Sequence, residues 1–430
     1  MSQKKSIVAA AVAVLVLATA FAATAAEKDK QKVKPYPHYW MTVDTSNQSI
    51  PGMPAEMSGF AGMFGGKNAF GPRRGLLLQL ESPRSAPATP EAAHDIPPGQ
   101  NMGASLPLIT PKQEKQVRKT PEQYERPDNM EKPKGRMLLY WGCGEEIGKG
   151  QPRVFDASKM KPDEMARFFK GKTPTHQTAP SARSGWTYGE WPNSEDRKDV
   201  PRDSSLVGGH VVHGSYVPDI RFNLDKKRDF MDPVEFSSVQ STTKGTTKVE
   251  WKPVSTAIGY FATAMGHDQK SGDTIFWSAS EVPEIGMALM DYLTPGDVSR
   301  FIKDKVVMDP SRTSCTVPPV FKEAAGAMLQ FIAYGEQLDI VHPPKPKDPK
   351  QPWDPQWSVK VRLKSTGMTT LMGDMGDEGG GRKSRPPRSS KKPVKQQDEE
   401  NSDRSPSDDD SGSGKSKGGV GDRLKGLFGW

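Results

Sequence analysis

The most regular alternation of hydrophobic and polar positions runs from Trp357 to Lys364. There Trp357, Val359, Val361 and Leu363 alternate with Ser358, Lys360, Arg362 and Lys364. A period of two puts one set on the dry face of a β-strand and the other on its wet face. The same period recurs at Leu76, Leu78 and Leu80, interleaved with Leu77, Gln79 and Glu81. It recurs again at Ile220, Phe222 and Leu224, interleaved with Arg221, Asn223 and Asp225, with Leu206 to Val212 as the partner arm. Met137 to Trp141 is a short apolar run that ends in the tight turn Gly142-Cys143-Gly144, and it predicts a buried strand. Ala327 to Tyr334 is apolar on both faces and predicts a central strand, and Cys315 begins a shorter one.

Between these lies Lys248 to Glu281. One run holds Val249 and Trp251 and stops at Pro253; a second spans Ala257 to Met265; a third, with Trp277, spans Thr274 to Ser278. Runs rich in β-branched and aromatic residues, broken by Gly, Pro, Ser and Asp, predict consecutive antiparallel strands. Trp251, Pro253, Gly259 and Tyr260 resemble the tryptophan strand, proline turn and Gly-Tyr strand of the fibronectin type III family. The resemblance covers a small part of the chain. It implies an immunoglobulin-like sandwich and no particular activity.

Helical patterns are few and short. Pro162 to Lys170 starts with Pro and acids and is followed by Gly171, and Glu284 to Leu293 and Pro295 to Lys303 read as two further helices. Thr294 is the expected N-cap of the last, with Pro295 in its first turn and Asp297 near its positive end. Residues 27–75 read as irregular: PYPHYW at Pro35 to Trp40 leads into a stretch with Met53, Met57, Phe60, Met63, Phe64 and Phe70 among glycines. That stretch is a flexible linker before it is a docking arm. Residues 82–134 read as a long extended excursion rich in Pro, Gln, Lys and Glu.

Composition changes the picture at the ends. The 430 residues include 39 prolines and 41 glycines, only 34% are hydrophobic, and the mean hydropathy is −0.68. A folded middle with polar, disordered ends follows. From about Gly367 a basic block, Arg382 to Lys395, meets an acidic one, Asp398 to Asp410, and the chain closes on Leu424, Leu427, Phe428 and Trp430, a candidate docking motif for a partner or a membrane. At the other end, Lys4 and Lys5 precede an uncharged run, Ile7 to Ala26, with small residues at Ala23-Thr24-Ala25. This reads as a cleaved secretory signal of bacterial style, so the expected location is periplasmic or extracellular. The competing reading is a retained anchor. Cleavage after Ala26 removes Lys4 and Lys5 and brings the formal charge from +8 to +6. Lys and Arg are scattered among Asp and Glu, which excludes a nucleic-acid signature.

Candidate chemistry is sparse. Cys143 and Cys315 in an exported chain suggest one disulfide, against two separately buried thiols. His210 and His213 stand three apart, but within a strand that spacing turns them to opposite faces, so no metal site is expected. His94-Asp95, His267-Asp268 and Glu145-Glu146 put acids and bases side by side without a nucleophile elbow, and no phosphate loop or cofactor motif accompanies them. Trp186, Tyr188 and Trp191 cluster in a polar stretch as a candidate ligand-binding platform, with Glu190 and Asn193 beside them; the plainer reading folds the rings back onto a sheet edge.

These readings combine into a mainly β protein, an antiparallel immunoglobulin- or fibronectin III-like sandwich with short inserted helices and long disordered ends. The expected divisions are a signal at 1–26, a flexible segment at 27–75, an N-terminal β-rich region at 76–240, a sandwich half at 241–366 and a charged tail at 367–430. The expected role is a non-enzymatic envelope protein that binds a polysaccharide or a protein partner. The alternative is a hydrolase whose catalytic residues converge only in the fold.

Overall fold

A computed structural model describes residues 33–48, 71–85, 88–111, 136–156, 159, 171–348 and 350–371. These all belong to one compact unit, Met1–Gly376; a second unit, Asp377–Trp430, lies wholly outside the described residues. Also outside them are the expected signal, the Gly/Met/Phe-rich stretch from 51 to 70, the helix expected at Pro162 to Lys170 and the docking motif at Leu424, Leu427, Phe428 and Trp430.

The architecture is mainly β and sandwich-like. Sixteen strands are described: β1 (His38–Gln48), β2 (Gly71–Ser82), β3 (Ala92–Asp95), β4 (Ser105–Pro107), β5 (Arg136–Trp141), β6 (Arg153–Asp156), β7 (Thr187–Trp191), β8 (Gly208–Gly214), β9 (Val217–Leu224), β10 (Phe236–Ser241), β11 (Thr247–Trp251), β12 (Gly259–Asp268), β13 (Thr274–Ser278), β14 (Ser314–Val317), β15 (Ala324–His342) and β16 (Trp357–Leu371). Nine form one sheet in the order β6-β5-β13-β12-β15-β16-β1-β2-β7. Two smaller sheets, β4-β3-β8-β9 and β10-β11-β14, complete the set. The large sheet is mixed, because β1 runs parallel to β16 and β13 parallel to β5.

The pleat explains the core. On β16 every second residue from Trp357 to Leu371 is buried. The matching row of β1 is Tyr39, Met41, Val43 and Thr45, and that of β2 is Leu76, Leu78 and Leu80. This inner face packs on the two small sheets: Ile220, Phe222, Leu224, Val249 and Trp251 share its hydrophobic cluster. Burial on this scale is the main force holding the layers together. The outer face has a second cluster, in which Phe261, Ile332 and Tyr334 lie under Leu289, Leu293, Val298 and Phe301. Those last four come from the excursion between β13 and β14, which holds the one described α-helix, α1 (Pro295–Lys303). Thr294 caps it as expected, its hydroxyl accepting the Asp297 N–H at 3.0 Å.

Several expectations are corrected. His38–Gln48 and Gly71–Gly75 are strand rather than flexible segment, because Tyr39, Met41 and Val43 fill the core beside β2 and β16. Thr187–Trp191 is an edge strand paired with β2, not a loop. Glu284 to Leu293 is not a helix: Gly286 has φ +80°, which breaks it, and only Met287–Leu289 makes a 3₁₀ turn. The expected end at 366 moves to Leu371, because Gly367, Thr369 and Leu371 continue the buried row. Gly367 is required there, since a Cβ would come within 2.7 Å of Val234 Cγ1. No break falls at 240/241, because the nine-stranded sheet draws strands from both sides of it. The stretch Thr247–Ser278 is split between sheets, β11 in a small one and β12 and β13 in the large one.

Candidate polar and aromatic surface on the outer face

One row of outward side chains crosses β7, β2, β1 and β16. The register sets His38 against Glu81 and Ser358, Trp40 against Gln79 and Lys360, Thr42 against Leu77 and Arg362, and Asp44 against Gly75 and Lys364. Tyr188 and Glu190 extend the row on β7, opposite Glu81 and Gln79. The segment 171–186 lies over this row. Lys360 Nζ donates to Gln177 Oε1 at 3.0 Å, Gln79 Nε2 to the Pro180 carbonyl at 3.1 Å, and Arg183 pairs with Glu81 at 2.9 Å. The Arg183 guanidinium lies 3.6 Å from the centre of the Trp186 ring, and Trp186 stacks on His38 at 6.2 Å with 10° between planes. Burial and the Arg183 charge together lower the His38 pKa. Its Nδ1 is 2.7 Å from Ser358 Oγ.

Farther along the row, cations and rings alternate. Lys360 Nζ is 5.2 Å from the Trp40 ring and Arg362 Cζ 5.0 Å from the same ring. Arg362 Cζ is also 4.5 Å from the Tyr292 ring, and Lys364 Nζ is 4.4 Å from it. Tyr292 comes from the β13–β14 excursion and donates its hydroxyl to the Val43 carbonyl at 3.1 Å. The order Lys360, Trp40, Arg362, Tyr292, Lys364 is therefore a cation–π ladder. Lys360 also pairs with Asp339 at 2.7 Å and Lys364 with Asp291 at 3.2 Å. Arg362 donates Nε to Thr42 Oγ1 at 3.1 Å. Burial lowers the Arg362 pKa and raises those of Tyr292 and Asp44, the last opposed by Lys364. Sequence reading placed the three cations on a wet face; Trp40 and Tyr292 carried no local signal that they would meet them.

The three aromatics singled out from the sequence part company. Trp191 is 1% exposed and lies in the inner core, on the face opposite Tyr188. Tyr188 is 5% exposed, its hydroxyl donating to Glu190 Oε2 at 2.7 Å and accepting from Gln79 at 3.1 Å. Only Trp186 keeps an accessible ring, half buried between Arg183 and His38. Asn193 is spent on the backbone: its Oδ1 accepts from Glu195 and Asp196, and its Nδ2 donates to Pro107 and Glu190.

The cysteines and histidines lie elsewhere. Cys143, in the turn after β5, is bonded to Cys315 on β14, so the bridge ties the large sheet to a small one. His210 is buried and His213 half buried on opposite faces of β8, and His213 Nε2 is 3.2 Å from Asp95 Oδ1. His94 instead joins His210 in a buried chain. Tyr39 OH is 2.8 Å from His94 Nδ1, His94 Nε2 is 2.9 Å from His210 Nδ1, and His210 Nε2 is 2.7 Å from the Leu206 carbonyl. The carbonyl only accepts, so His210 carries its proton on Nε2; His94 then donates from Nε2, and Tyr39 donates to His94. Every group is satisfied with both rings neutral. Asp268 accepts the N–H groups of Lys270 and Ser271 in a turn, and Glu145 and Glu146 are exposed. Among the described residues no three His, Cys, Asp or Glu side chains converge to hold a metal ion.

No family model matches the chain, and no curated protein matches it. Among solved structures it is similar to one described as the Fcho1 Mu homology domain from Danio rerio with bound Eps15 peptide, at 9% identity and a TM-score of 0.22. The match covers 79% of this chain and 98% of the other. A TM-score of that size carries no argument about fold type or partner.

Proposed function

We propose that this chain is an exported, non-enzymatic binding or scaffolding protein of the cell envelope that holds a polysaccharide or protein partner against the outer face of its large sheet. The observation that carries this reading is the row from Trp186 and His38 through Trp40 to Tyr292, where the half-buried Trp186 and His38 rings lie beside hydrogen-bonding side chains and Trp40, 7% exposed, packs against the cations. Flat apolar faces flanked by polar groups suit sugar rings, whose C–H faces stack on aromatics at small entropic cost. Export is supported by Lys4, Lys5 and the apolar run to Ala26, and the Cys143–Cys315 bridge suits an oxidising compartment. The immunoglobulin-like subtype of the sandwich has Trp251, Pro253, Gly259 and Tyr260 in its favour and belongs to the proposal. The hydrolase alternative has the Ser358–His38 contact at 2.7 Å and the His213–Asp95 pair at 3.2 Å, but they do not combine: among the described residues no carboxylate bonds His38, and no hydroxyl or thiol donates to His213.

The test uses His38→Ala and Trp186→Ala, which leave the inner core untouched. Retention on peptidoglycan, lipopolysaccharide and a neutral glycan is compared with the parent protein, with folding followed by circular dichroism. Weakened retention on one of these polymers is expected, and unchanged retention of folded variants on all three rejects the surface. N-terminal sequencing of protein from its native host tests export: a start at Met1 or Ser2 rejects cleavage.

A further inference from the structure

Of the three ladder cations, the middle one is balanced differently from its neighbours. Lys360 and Lys364 each have a carboxylate within 3.2 Å, Asp339 and Asp291. Among the described residues no carboxylate lies within 4.0 Å of Arg362, and its only hydrogen bond is from Nε to Thr42. Asp44 is opposite Lys364 in the register and above Gly75, whose absent side chain leaves room for its carboxylate. The guanidinium lies over two rings, Trp40 and Tyr292, and Nε is occupied, so the edge carrying Nη1 and Nη2 is left for an acceptor. A guanidinium edge offers two parallel N–H donors at the spacing of a carboxylate or phosphate. Stacking fixes the plane of that fork in advance, which lowers the entropic cost of engaging it.

We propose that Arg362 is an anion-recognition residue of the outer face and that the ligand is an acidic sugar whose carboxylate or phosphate group docks bidentately on its Nη edge. Trp40, itself 7% exposed, and Tyr292 hold the fork, so the sugar meets the guanidinium edge and the polar side chains of the row rather than a ring face. Thr42 orients the guanidinium through Nε. Lys360 and Lys364 supply positive potential rather than direct contacts, because their own carboxylates occupy them. This assignment rests on the outer face being a ligand surface.

The experiment is a calorimetric titration of the full-length protein with four probes: glucuronate, glucose 6-phosphate, glucose and inorganic phosphate. The Trp40 indole N–H resonance is followed in parallel. The expected result is that glucuronate or glucose 6-phosphate binds at least about tenfold more tightly than glucose and shifts the Trp40 resonance. Which of the two binds distinguishes a uronic acid from a phosphorylated sugar. Inorganic phosphate alone should bind more weakly than the better sugar, since it has no sugar hydroxyls to meet the polar side chains of the row. Arg362→Gln should reduce the acidic sugar to the level of glucose, and Arg362→Lys, which keeps the charge without the fork, should recover only part of the loss. Equal binding of glucuronate, glucose 6-phosphate and glucose overturns the assignment while leaving the surface standing, provided His38→Ala or Trp186→Ala weakens all three. No binding of any probe, together with unchanged polymer retention in those two variants, overturns both. Full recovery by Arg362→Lys overturns the bidentate geometry. The comparison of charged and neutral sugars needs only the parent protein, so an unstable variant does not spoil the test.

Discussion

The buried chain Tyr39–His94–His210–Leu206 makes stability depend on pH in the window where imidazoles titrate, to which the lowered His38 contributes with the same sign. Tyr39 and His94 are 0% exposed and His210 is 1% exposed. Burial lowers the pKa of His94 well below its usual 6.5, with His210 and His213 adding to the effect, and burial also lowers that of His210. The sign follows from which state holds the proton. Unfolded, each imidazole takes a proton as pH falls through about 6.5, whereas folded, each resists until a lower pH. The unfolded state therefore binds more protons, and stability is full above pH 6.5 and declines below it. Two such groups give a slope of at most about 2.7 kcal/mol per pH unit, twice the 1.36 kcal/mol of a single proton. A domain stable by about 5–15 kcal/mol would lose a large share of that within two units. Protonating His210 also removes the acceptor that His94 Nε2–H uses, so His94 must change tautomer and the Tyr39 hydroxyl loses the acceptor it had. The assay is urea unfolding at pH 7.5, 6.5, 5.5 and 5.0, repeated for His94→Gln with His210→Gln. The midpoint should be flat above pH 6.5 and fall steeply below it in the parent, with a shallower fall in the variant. A flat midpoint down to pH 5.0, or parallel slopes in parent and variant, refutes the reasoning.

Three further outcomes can be measured directly. Reducing the Cys143–Cys315 bridge, which spans 172 residues, should lower stability by up to about 5 kcal/mol on the chain-entropy account, read as the urea midpoint with and without reductant. Trp191→Ala should cost about 3–5 kcal/mol because its ring is enclosed in the core, while Trp186→Ala should cost no more than about 1 kcal/mol, both read from urea unfolding; comparable losses would contradict the two placements. Thr294→Ala removes the cap on α1 and should cost about 1 kcal/mol, seen as faster amide exchange at Asp297 with exchange in β15 unchanged.

How much of this was legible in the sequence depended on whether a pattern was closed within its own segment. The alternation at β16 announced itself because one face is buried along the whole strand, and Thr294-Pro295 with Asp297 announced α1 because capping is local. β1 lacks that alternation, because Tyr39 to Val43 are buried on both faces and Trp40 breaks the period, and the polar neighbours of Thr187–Trp191 hid β7. Pairings between distant segments left no trace: β1 lies beside β16 with 320 residues separating His38 from Ser358. The apolar run at 284–293 gave the opposite error, since its leucines face Tyr334 across the outer sheet surface rather than along a helix.

The same distinction accounts for the candidate site. Trp186, Tyr188 and Trp191 drew notice as a cluster, but a strand sends alternate residues to opposite faces, so the core takes Trp191 while Tyr188 turns outward. Lys360, Arg362 and Lys364 were readable as three cations on one face of β16. What makes them a ladder is supplied from β1 and from the excursion that carries Tyr292, each placed by the core packing beneath. Arg362 therefore stands where two long-range arrangements meet, and its lack of a carboxylate is a property of the fold rather than of the strand. Neighbours in sequence predict a solvated face there. The assembled sheet instead leaves one guanidinium held between rings with its outer edge unspent, and the proposed acidic-ligand contact rests on that residue, whose surroundings appear only after the sheet has closed.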